Sequence, residues 1–110
     1  MKIPNAERAV VDLEKLRSYA LSSAHPEGRH KARVFLAGLG ISISDAEWLA
    51  RRILAAVPMA EARTGDADKY GRRYDADIFI AREDRSVLVR TAWIIRTGEN
   101  FPLLTTCFVV

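Results

Sequence analysis

The ten residues GRRYDADIFI, Gly71–Ile80, decide the fold because apolar and polar side chains alternate along them. In an extended chain, one face then carries Tyr74, Ala76, Ile78 and Ile80. The opposite face carries Arg73, Asp75, Asp77 and Phe79. A period of two is typical of a β-strand that covers a core with one face. We therefore predict a strand whose first face lies against helices.

β-Forming residues dominate the whole C-terminal half of the chain. Strands are predicted at residues 60–64, 71–80, 86–96 and 103–110. The turns REDRS (82–86) and TGENFP (97–102) join the last three strands, and such short connections require antiparallel neighbours. In the third strand we expect Trp93 to be a core residue rather than a platform for base stacking.

The N-terminal half has helical periodicity instead. Asp12 is predicted to cap a first helix, and a second helix is predicted over residues 28–39, closed by Gly40 in the left-handed conformation. The sequence SDAE, Ser44–Glu47, is predicted to be a capping box that opens a third helix, which Pro58 ends. The apolar stripe of the second helix consists of Ala32, Phe35, Leu36 and Leu39.

Helices followed by strands define an α+β fold. We predict about three N-terminal helices packed on a four-stranded antiparallel sheet, arranged as a meander. A chain of 110 residues can build one modest core, so residues 1–110 are expected to form a single domain. Residues 1–58 should be mainly helical and residues 59–110 mainly antiparallel strands.

Composition narrows the class of protein. Hydrophobic residues make up 49% and charged residues 28% of the chain, which is typical of soluble globular proteins. No apolar run is long enough to cross a bilayer, and the N-terminal residues lack the unbroken apolar stretch of a secretory signal. The single cysteine, Cys107, cannot form an internal disulfide and is expected in the core. These features predict a cytoplasmic protein without membrane contact.

The charge of the chain favours an anionic partner. Thirteen arginines and four lysines give 17 basic residues against 14 acidic ones, a net charge of +3. Arginine is suited to bidentate contacts with phosphate or carboxylate groups. RNA and an acidic protein are both compatible with this composition.

The segment HPEGRHKARVF, His25–Phe35, concentrates basic residues. On the predicted helix His30 points away from the apolar stripe with Arg33 beside it, while Lys31 lies at the border, where its ammonium can reach a neighbouring strand. The positive end of the helix adds to this field, which suits a phosphate. His30 is either a solvated residue or a group that contacts phosphate or transfers protons. His25, which precedes a proline in a turn, is expected to be structural or solvated.

Several chemistries lack their usual motifs in this sequence. We find no phosphate-binding P-loop, no zinc or calcium pattern and no nucleophile elbow, so we expect neither a metal nor another cofactor. Arg72 and Arg73 point to opposite faces of a strand, so at most one of them serves a given cleft, and an ion pair with an aspartate of the same strand is the alternative. Thr105 and Thr106 also project to opposite faces, which leaves one hydroxyl donor.

Four stretches carry a resemblance to an uncharacterised bacterial domain family that occurs alone or at the ends of polymorphic toxins. They cover nearly the whole chain: KIPNAERAVVDLEKLRSYAL (2–21), HPEGRHKARVFLAGLGI (25–41), YGRRYDAD (70–77) and RTAWIIRTGENFPLLTTCFV (90–109). Helices followed by a four-stranded meander also resemble the small metal-independent ribonucleases that include barnase, EndoU, colicin-type nucleases and RelE-type toxins. The resemblance implies the toxin half of a two-protein module, with a small acidic antitoxin or immunity protein as partner.

The first functional hypothesis is therefore a ribonuclease toxin that cleaves RNA without metal, by attack of a ribose 2′-hydroxyl on the adjacent phosphorus. His30 would move a proton, Lys31 and Arg73 would stabilise the phosphorane, and Thr106 would donate a hydrogen bond to a phosphate oxygen. The second proton transfer is left to His25, Tyr74 or water. Further phosphate-binding candidates are Arg29, Arg33, Arg72 and Arg90.

The alternative hypothesis is a non-enzymatic basic module that binds RNA or an acidic protein partner through the same surface. Under the catalytic hypothesis, His30, Lys31 and Arg73 are expected around one concave surface formed by the second helix and the sheet.

Overall fold

A computed structural model describes residues 1–110, in which helices and short helical turns lead into a four-stranded sheet. The α-helices are α1 (Leu13–Lys15), α2 (Arg29–Leu39) and α3 (Ala46–Ala56). The strands are β1 (Ala62–Asp68), β2 (Gly71–Arg82), β3 (Arg85–Arg96) and β4 (Leu103–Val109). The predicted α+β class and the antiparallel sheet are confirmed. No helix of the chain is both long enough and apolar enough to span a membrane.

The sheet is a meander in the strand order β1-β2-β3-β4, and every neighbouring pair is antiparallel. β2 and β3 pair without interruption along their full length. Register shifts interrupt the other two pairs, between Thr64 and Ala67 in β1 and between Ala92 and Trp93 in β3. Because β1 and β4 stand first and last in the strand order, they are the two edges of the sheet.

The alternation predicted for residues 71–80 is confirmed. The buried face of β2 carries Tyr74, Ala76, Ile78 and Ile80. On the opposite face Phe79 is 76% exposed. β3 adds Val89, Thr91 and Trp93 to the buried face, so Trp93 is a core residue as predicted. The helices thus cover one face of the sheet and leave the other open.

Strand β1 starts later than predicted and is longer. Its limits are set by backbone pairing with β2 rather than by the β-propensity of its residues. The prediction ended this strand at Thr64, whereas the structure continues it to Asp68. Residues 65–68 include a glycine and two aspartates, which are poor strand formers. The last two of these residues nevertheless pair with the start of β2, Ala67 with Arg72 and Asp68 with Gly71.

The helix signals at Asp12 and Gly40 are confirmed. The Asp12 carboxylate accepts a hydrogen bond from the Glu14 N–H at 2.9 Å, and Gly40 ends α2 in the left-handed conformation with φ of 68°. Helix α1 continues directly as a π-helical segment, Leu16–Ala20, which the sequence pattern did not indicate. π-Helical turns are rare and often occur at functional sites.

The capping box of the third helix lies two residues earlier than predicted. Ser42 and Asp45 form it, and the Asp45 carboxylate accepts a hydrogen bond from the Ser42 N–H at 3.0 Å. Residues 43–45 already form a 3-10 turn that leads into α3, so Ser44 is inside the helical segment and cannot be its cap. The helix ends at Ala56 and is followed by a 3-10 turn that contains Pro58.

The N-terminal half is not purely helical, which corrects the predicted division into helices and then strands. Val10 forms a parallel bridge with Leu103 at the edge of β4. Its N–H donates to the Pro102 carbonyl at 2.9 Å, and its carbonyl accepts from the Leu104 N–H at 3.0 Å. A short extended segment before α1 is therefore part of the sheet edge.

One residue of the predicted α2 stripe, Leu36, is 55% exposed. The other three, Ala32, Phe35 and Leu39, are buried as predicted. A helix turns by about 100° per residue, so Leu36 lies beside the line through these three side chains. The buried face of α2 is accordingly narrower than the sequence suggested.

A buried polar pair connects β2 to β3. The Thr91 hydroxyl donates to the Ala76 carbonyl at 2.6 Å and accepts a hydrogen bond from the Trp93 indole N–H at 2.8 Å. Thr91 is fully buried and Trp93 is 1% exposed. The hydroxyl therefore satisfies an indole N–H that water cannot reach.

Thr91→Val should lower the free energy of unfolding by about 1–3 kcal/mol, because the shape is kept while the Trp93 N–H loses its buried acceptor. Urea denaturation measures this difference. Thr64→Val, at an exposed position of β1, is the matched control and should stay within about 0.5 kcal/mol of the unmodified protein. Equal free energies of unfolding for the two variants would show that the Thr91 hydroxyl does not stabilise the fold.

Candidate functional site

Lys31 joins helix α2 to the edge strand β4. Its Nζ donates a hydrogen bond to Thr106 Oγ1 at 2.9 Å. The same ammonium lies over two aromatic rings, 4.7 Å from the ring centroid of Tyr19 and 5.4 Å from that of Phe108. Lys31 is half-buried and forms no ion pair with a carboxylate. The predicted reach of Lys31 to a neighbouring strand is confirmed.

Thr106 is at the end of a row that crosses the sheet. It pairs with Ala92 of β3, which pairs with Asp75 of β2, so these residues share the face that the helices leave open. Since α2 packs on the other face, Lys31 meets Thr106 at the β4 edge. The contact therefore lies at the β4 edge of the sheet and not over the centre of either face.

Tyr19 reaches Lys31 because of local backbone geometry. It belongs to the π-helical segment, and the carbonyl of Tyr19 packs directly against Gly28. A Cβ at residue 28 would lie 2.1 Å from that oxygen, so only glycine fits there. The close approach of this turn to the π-helical segment places Tyr19 beside both Lys31 and His25.

His25 is oriented by the turn that leads into α2, as its predicted structural role requires. Its Nδ1 accepts hydrogen bonds from the backbone N–H groups of Glu27 at 3.0 Å and Gly28 at 2.9 Å. A neutral imidazole that accepts at Nδ1 carries its proton on Nε2. The ring meets Tyr19 edge-on, with centroids 4.6 Å apart. His25 is thus an oriented N–H donor.

These side chains line a cleft of about 440 Å³, which we call the edge cleft. Its walls come from the start of the helical region, from α2 and from β4. The lining residues are Asp12, Lys15, Leu16, Ser18, Tyr19, Ala20, His25, Lys31, Leu104, Thr105 and Thr106. The ammonium of Lys31, the imidazole of His25 and the hydroxyl of Thr106 therefore line one concave surface, and these donors suit an anion. The one carboxylate in the lining, that of Asp12, accepts a hydrogen bond from the Glu14 N–H.

The family "Domain of unknown function (DUF6883)" matches residues 2–110. The chain belongs to this family. Membership confirms the resemblance to an uncharacterised domain family and covers nearly the whole sequence. No curated protein and no solved structure matches the chain. The ribonuclease and toxin parts of the resemblance remain predictions for this DUF6883 domain.

His30 lies next to the edge cleft but not inside it. It is exposed and lines a shallow second cleft of about 250 Å³ together with Lys31, Val34, Phe108 and Val109. No hydrogen bond of its ring to the protein is present, which distinguishes it from His25. Lys31 belongs to both clefts, and His25 lines one of them while His30 lines the other.

Arg73 does not join this group. Its guanidinium donates to Asp68 Oδ2 at 2.9 Å, at the β1–β2 hairpin, and it lines neither of the two clefts beside Lys31. A hydrogen bond from the Tyr70 N–H lowers the pKa of Asp68, and Arg73 lowers it further, so the ionised carboxylate is favoured. The expected concave surface around all three residues is therefore not formed: Lys31 and His30 share only the shallow second cleft, and Arg73 lies apart.

Arg90 is also engaged by a carboxylate. It donates to both oxygens of Asp77, from Nε at 2.9 Å and from Nη2 at 3.1 Å. Hydrogen bonds from Arg90 hold the pKa of Asp77 below its ordinary value, although partial burial acts in the opposite direction. Arg63 approaches the same carboxylate at 3.4 Å. This bidentate pair occupies the open face of the sheet and leaves Arg90 poorly placed for phosphate.

The remaining predicted residues are distributed elsewhere. Arg72 is exposed on β2, and Arg29 and Arg33 line a different groove on the other side of α2. Tyr74 is 5% exposed and belongs to the core, so it is not available for proton transfer in either cleft. Burial raises the pKa of the Cys107 thiol to about 12, which makes it an unsuitable nucleophile.

Tyr19 was absent from the predicted site, and His25 was assigned only a secondary role. The sequence holds a partial signal for the orientation of His25. A histidine before Pro-Glu-Gly can accept hydrogen bonds from the backbone N–H groups of the following turn, as a capping side chain does. For Tyr19 we find no signal, since its position depends on a π-helical turn and on a contact with Gly28.

Gly28→Ala should lower the free energy of unfolding by about 1–3 kcal/mol, because the new methyl group would collide with the Tyr19 carbonyl. Urea denaturation measures the loss. Gly65→Ala is the control, since its Cβ would meet Arg73 at no less than 3.4 Å, an ordinary contact distance. A Gly28→Ala protein as stable as this control would refute the close approach.

Proposed function

We propose that this DUF6883 domain is a small metal-independent ribonuclease that cleaves RNA through its own 2′-hydroxyl. One observation carries the proposal: the half-buried Lys31 ammonium contacts Thr106 and two aromatic rings but no carboxylate. A cation withdrawn from water without a counter-ion favours an anionic ligand. The phosphodiester of RNA is an anion that fits a cleft of this donor composition.

The edge cleft supplies donors for the phosphate oxygens. Lys31 would neutralise the charge that develops on the phosphorane. Since the Thr106 hydroxyl accepts its hydrogen bond from Lys31, its own proton is free to bind a phosphate oxygen. His25 offers its Nε2 proton as a further donor. Fixed donors of this kind act without reorganisation during the reaction.

The proton transfers are assigned to His30 and Lys31. The ring of His30 makes no hydrogen bond to the protein, so it can accept the 2′-hydroxyl proton, whereas Nδ1 of His25 is occupied. As O2′ bonds to phosphorus, the bond from phosphorus to the 5′-oxygen breaks. That oxygen takes a proton from Lys31. The products are a 2′,3′-cyclic phosphate and a 5′-hydroxyl, and water returns the proton from His30 to Lys31.

The biological setting follows from the resemblance to toxin domains. We propose that the ribonuclease is the toxin of a two-protein module and that a small acidic antitoxin or immunity protein neutralises it. Its free thiol, Cys107, is buried and unpaired, which suits the reducing cytoplasm as the place of action.

A second candidate function is a non-enzymatic module that binds RNA or an acidic protein partner. It is favoured by Arg29, Arg33 and Arg72, which carry no ion pair and are exposed. Such a module would bind RNA with an affinity that falls steeply with salt, because phosphate contacts release counterions. It would leave the RNA intact.

The purified protein, incubated with total RNA and excess chelator, should produce 2′,3′-cyclic phosphate or 3′-phosphate ends and should spare DNA, which lacks the 2′-hydroxyl nucleophile. Lys31→Met should reduce the rate by about 10²–10³-fold, because the stem is kept and the charge is lost. End-group analysis of the fragments identifies the products, and a time course of cleavage measures the rate of each protein.

Lys69→Met is the matched control, since Lys69 also lies over an aromatic ring, 5.2 Å from the centroid of Tyr70, but outside both clefts. This control should keep the full rate. If Lys31→Met cleaves RNA as fast as Lys69→Met, Lys31 has no role in the reaction and its assignment is wrong. Salt-dependent binding without any cleavage by the unmodified protein would favour the second candidate function.

His30→Ala should lower kcat by about 10²–10⁴-fold without loss of stability, because the side chain is exposed and serves as a general base. The pH dependence of the rate should also change, because the general base is lost. A pH–rate profile of both proteins tests this assignment. Arg51→Ala, exposed on α3, is the control, and a normal profile in His30→Ala would move the base elsewhere.

A further inference from the structure

A groove of about 500 Å³ lies on the side of helix α2 that faces away from Lys31. We call it the α2 groove. Arg29 and Arg33 form one wall, the buried side chain of Ile41 contributes to the floor, and Leu36 and Ile43 stand at the rim. Residues two apart on a helix point about 200° away from each other, so Lys31 faces away from both arginines. The groove is therefore separate from the edge cleft.

The two arginines of the groove lack partners. Of the seventeen basic side chains, eight form ion pairs with carboxylates, namely Lys2, Arg17, Arg51, Arg63, Arg73, Arg82, Arg90 and Arg96. Arg29 and Arg33 are not among them, and no aspartate or glutamate lines the groove. Their spacing of four residues places them on one helix face, where two like charges repel each other mildly. Two carboxylates on a ligand would relieve this repulsion.

The rim of the groove is unusually apolar for a solvent-exposed surface. Leu36 is 55% and Ile43 is 48% exposed, although leucine and isoleucine are among the residues most often buried. They belong to different elements, α2 and the turn before α3, but line the same groove with the buried Leu21 and Ile41. A contiguous apolar surface beside unpaired charges is typical of a protein–protein contact.

The lining chemistry distinguishes a protein ligand from a nucleic acid. RNA would bind the two arginines but offers no aliphatic group for Leu36 and Ile43. The groove has no aromatic side chain on which a base could stack. A protein segment with carboxylates and an aliphatic side chain satisfies both halves of the surface.

We propose that the α2 groove is the docking site for an acidic segment of a partner protein. Two carboxylates of that segment bind Arg29 and Arg33, and a leucine-like side chain between them packs against Leu36 and Ile43. This proposal is independent of the ribonuclease proposal, because it uses neither cleft beside Lys31.

The test uses the full chain and three labelled peptides of equal length. The first combines Glu at positions i and i+4 with Leu at i+3 and i+7, the second replaces each Leu with Ser, and the third replaces each Glu with Lys. Fluorescence anisotropy should detect binding of the first peptide, and its affinity should fall as salt is added. The second and third peptides should bind at least about tenfold more weakly.

Variants locate the binding on the surface. Arg29→Glu, Arg33→Glu and Leu36→Ser should each weaken binding of the first peptide by about tenfold or more, and all three positions are exposed, so folding should be kept. Lys69→Glu introduces the same negative charge in the turn between β1 and β2 and should leave the affinity within about threefold, because Lys69 is exposed and does not line the groove. Circular dichroism checks that each variant is folded.

Four outcomes would overturn the proposal. Equal binding of the first and second peptides would reduce the groove to a site of general charge attraction. If the unmodified protein binds oligouridylate and both Arg29→Glu and Leu36→Ser lose this binding, the α2 groove is an RNA-binding surface. Failure of the first peptide to bind, or a concentration-dependent dimer that Leu36→Ser dissociates, would exclude an acidic partner segment and, in the second case, assign the groove to a second copy of the chain.

Discussion

The need to cover the outer edge of strand β4 is the constraint on which the arrangement of the site depends. A four-stranded meander leaves two edges, and exposed backbone N–H and C=O groups there invite pairing with other chains. The β1 edge carries charged residues and is interrupted by a register shift. The β4 edge is covered instead, by two hydrogen bonds of the Val10 backbone and by the contact of Lys31 with Thr106. To make these contacts, the N-terminal segment and α2 must converge on β4, and the edge cleft is the space that remains between them.

Local signals in the sequence predict the elements and their faces. The alternation from Tyr74 to Ile80, the cap at Asp12 and the left-handed Gly40 each depend on a few neighbouring residues, so they can be derived without knowing the fold. The position of Lys31 at the border of a helix stripe is of the same kind. Such signals establish the α+β class and the orientation of each element.

Contacts between distant residues could not be predicted in this way. The pairing of Arg90 with Asp77 requires the register of two strands, and the contact of Tyr19 with Lys31 requires a π-helical turn that no residue pattern specifies. For this reason the predicted basic residues separate in the structure. Lys31 and His30 remain together, Arg73 and Arg90 are paired on the sheet, Arg29 and Arg33 lie across α2, and Arg72 is exposed on β2.

This separation changes what the net positive charge means for function. A basic composition predicts attraction to anions, but carboxylates within the chain already bind eight of the seventeen basic groups. The free groups on α2 point in opposite directions because of helix geometry. One helix therefore presents a cation to a polar cleft on one side and two cations to an apolar groove on the other, and these surfaces suit different anions.

The environment of Lys31 links the stability of the fold to its chemistry. The Thr106 hydroxyl and the two aromatic rings compensate in part for the hydration that the ammonium loses, and they do so without neutralising its charge. A carboxylate in their place would hold Lys31 more strongly but would also compete with an incoming phosphate. Neutral partners close the β4 edge and leave the full charge available to a ligand. The residue that completes the fold at this edge is for that reason also the one best placed to bind an anion.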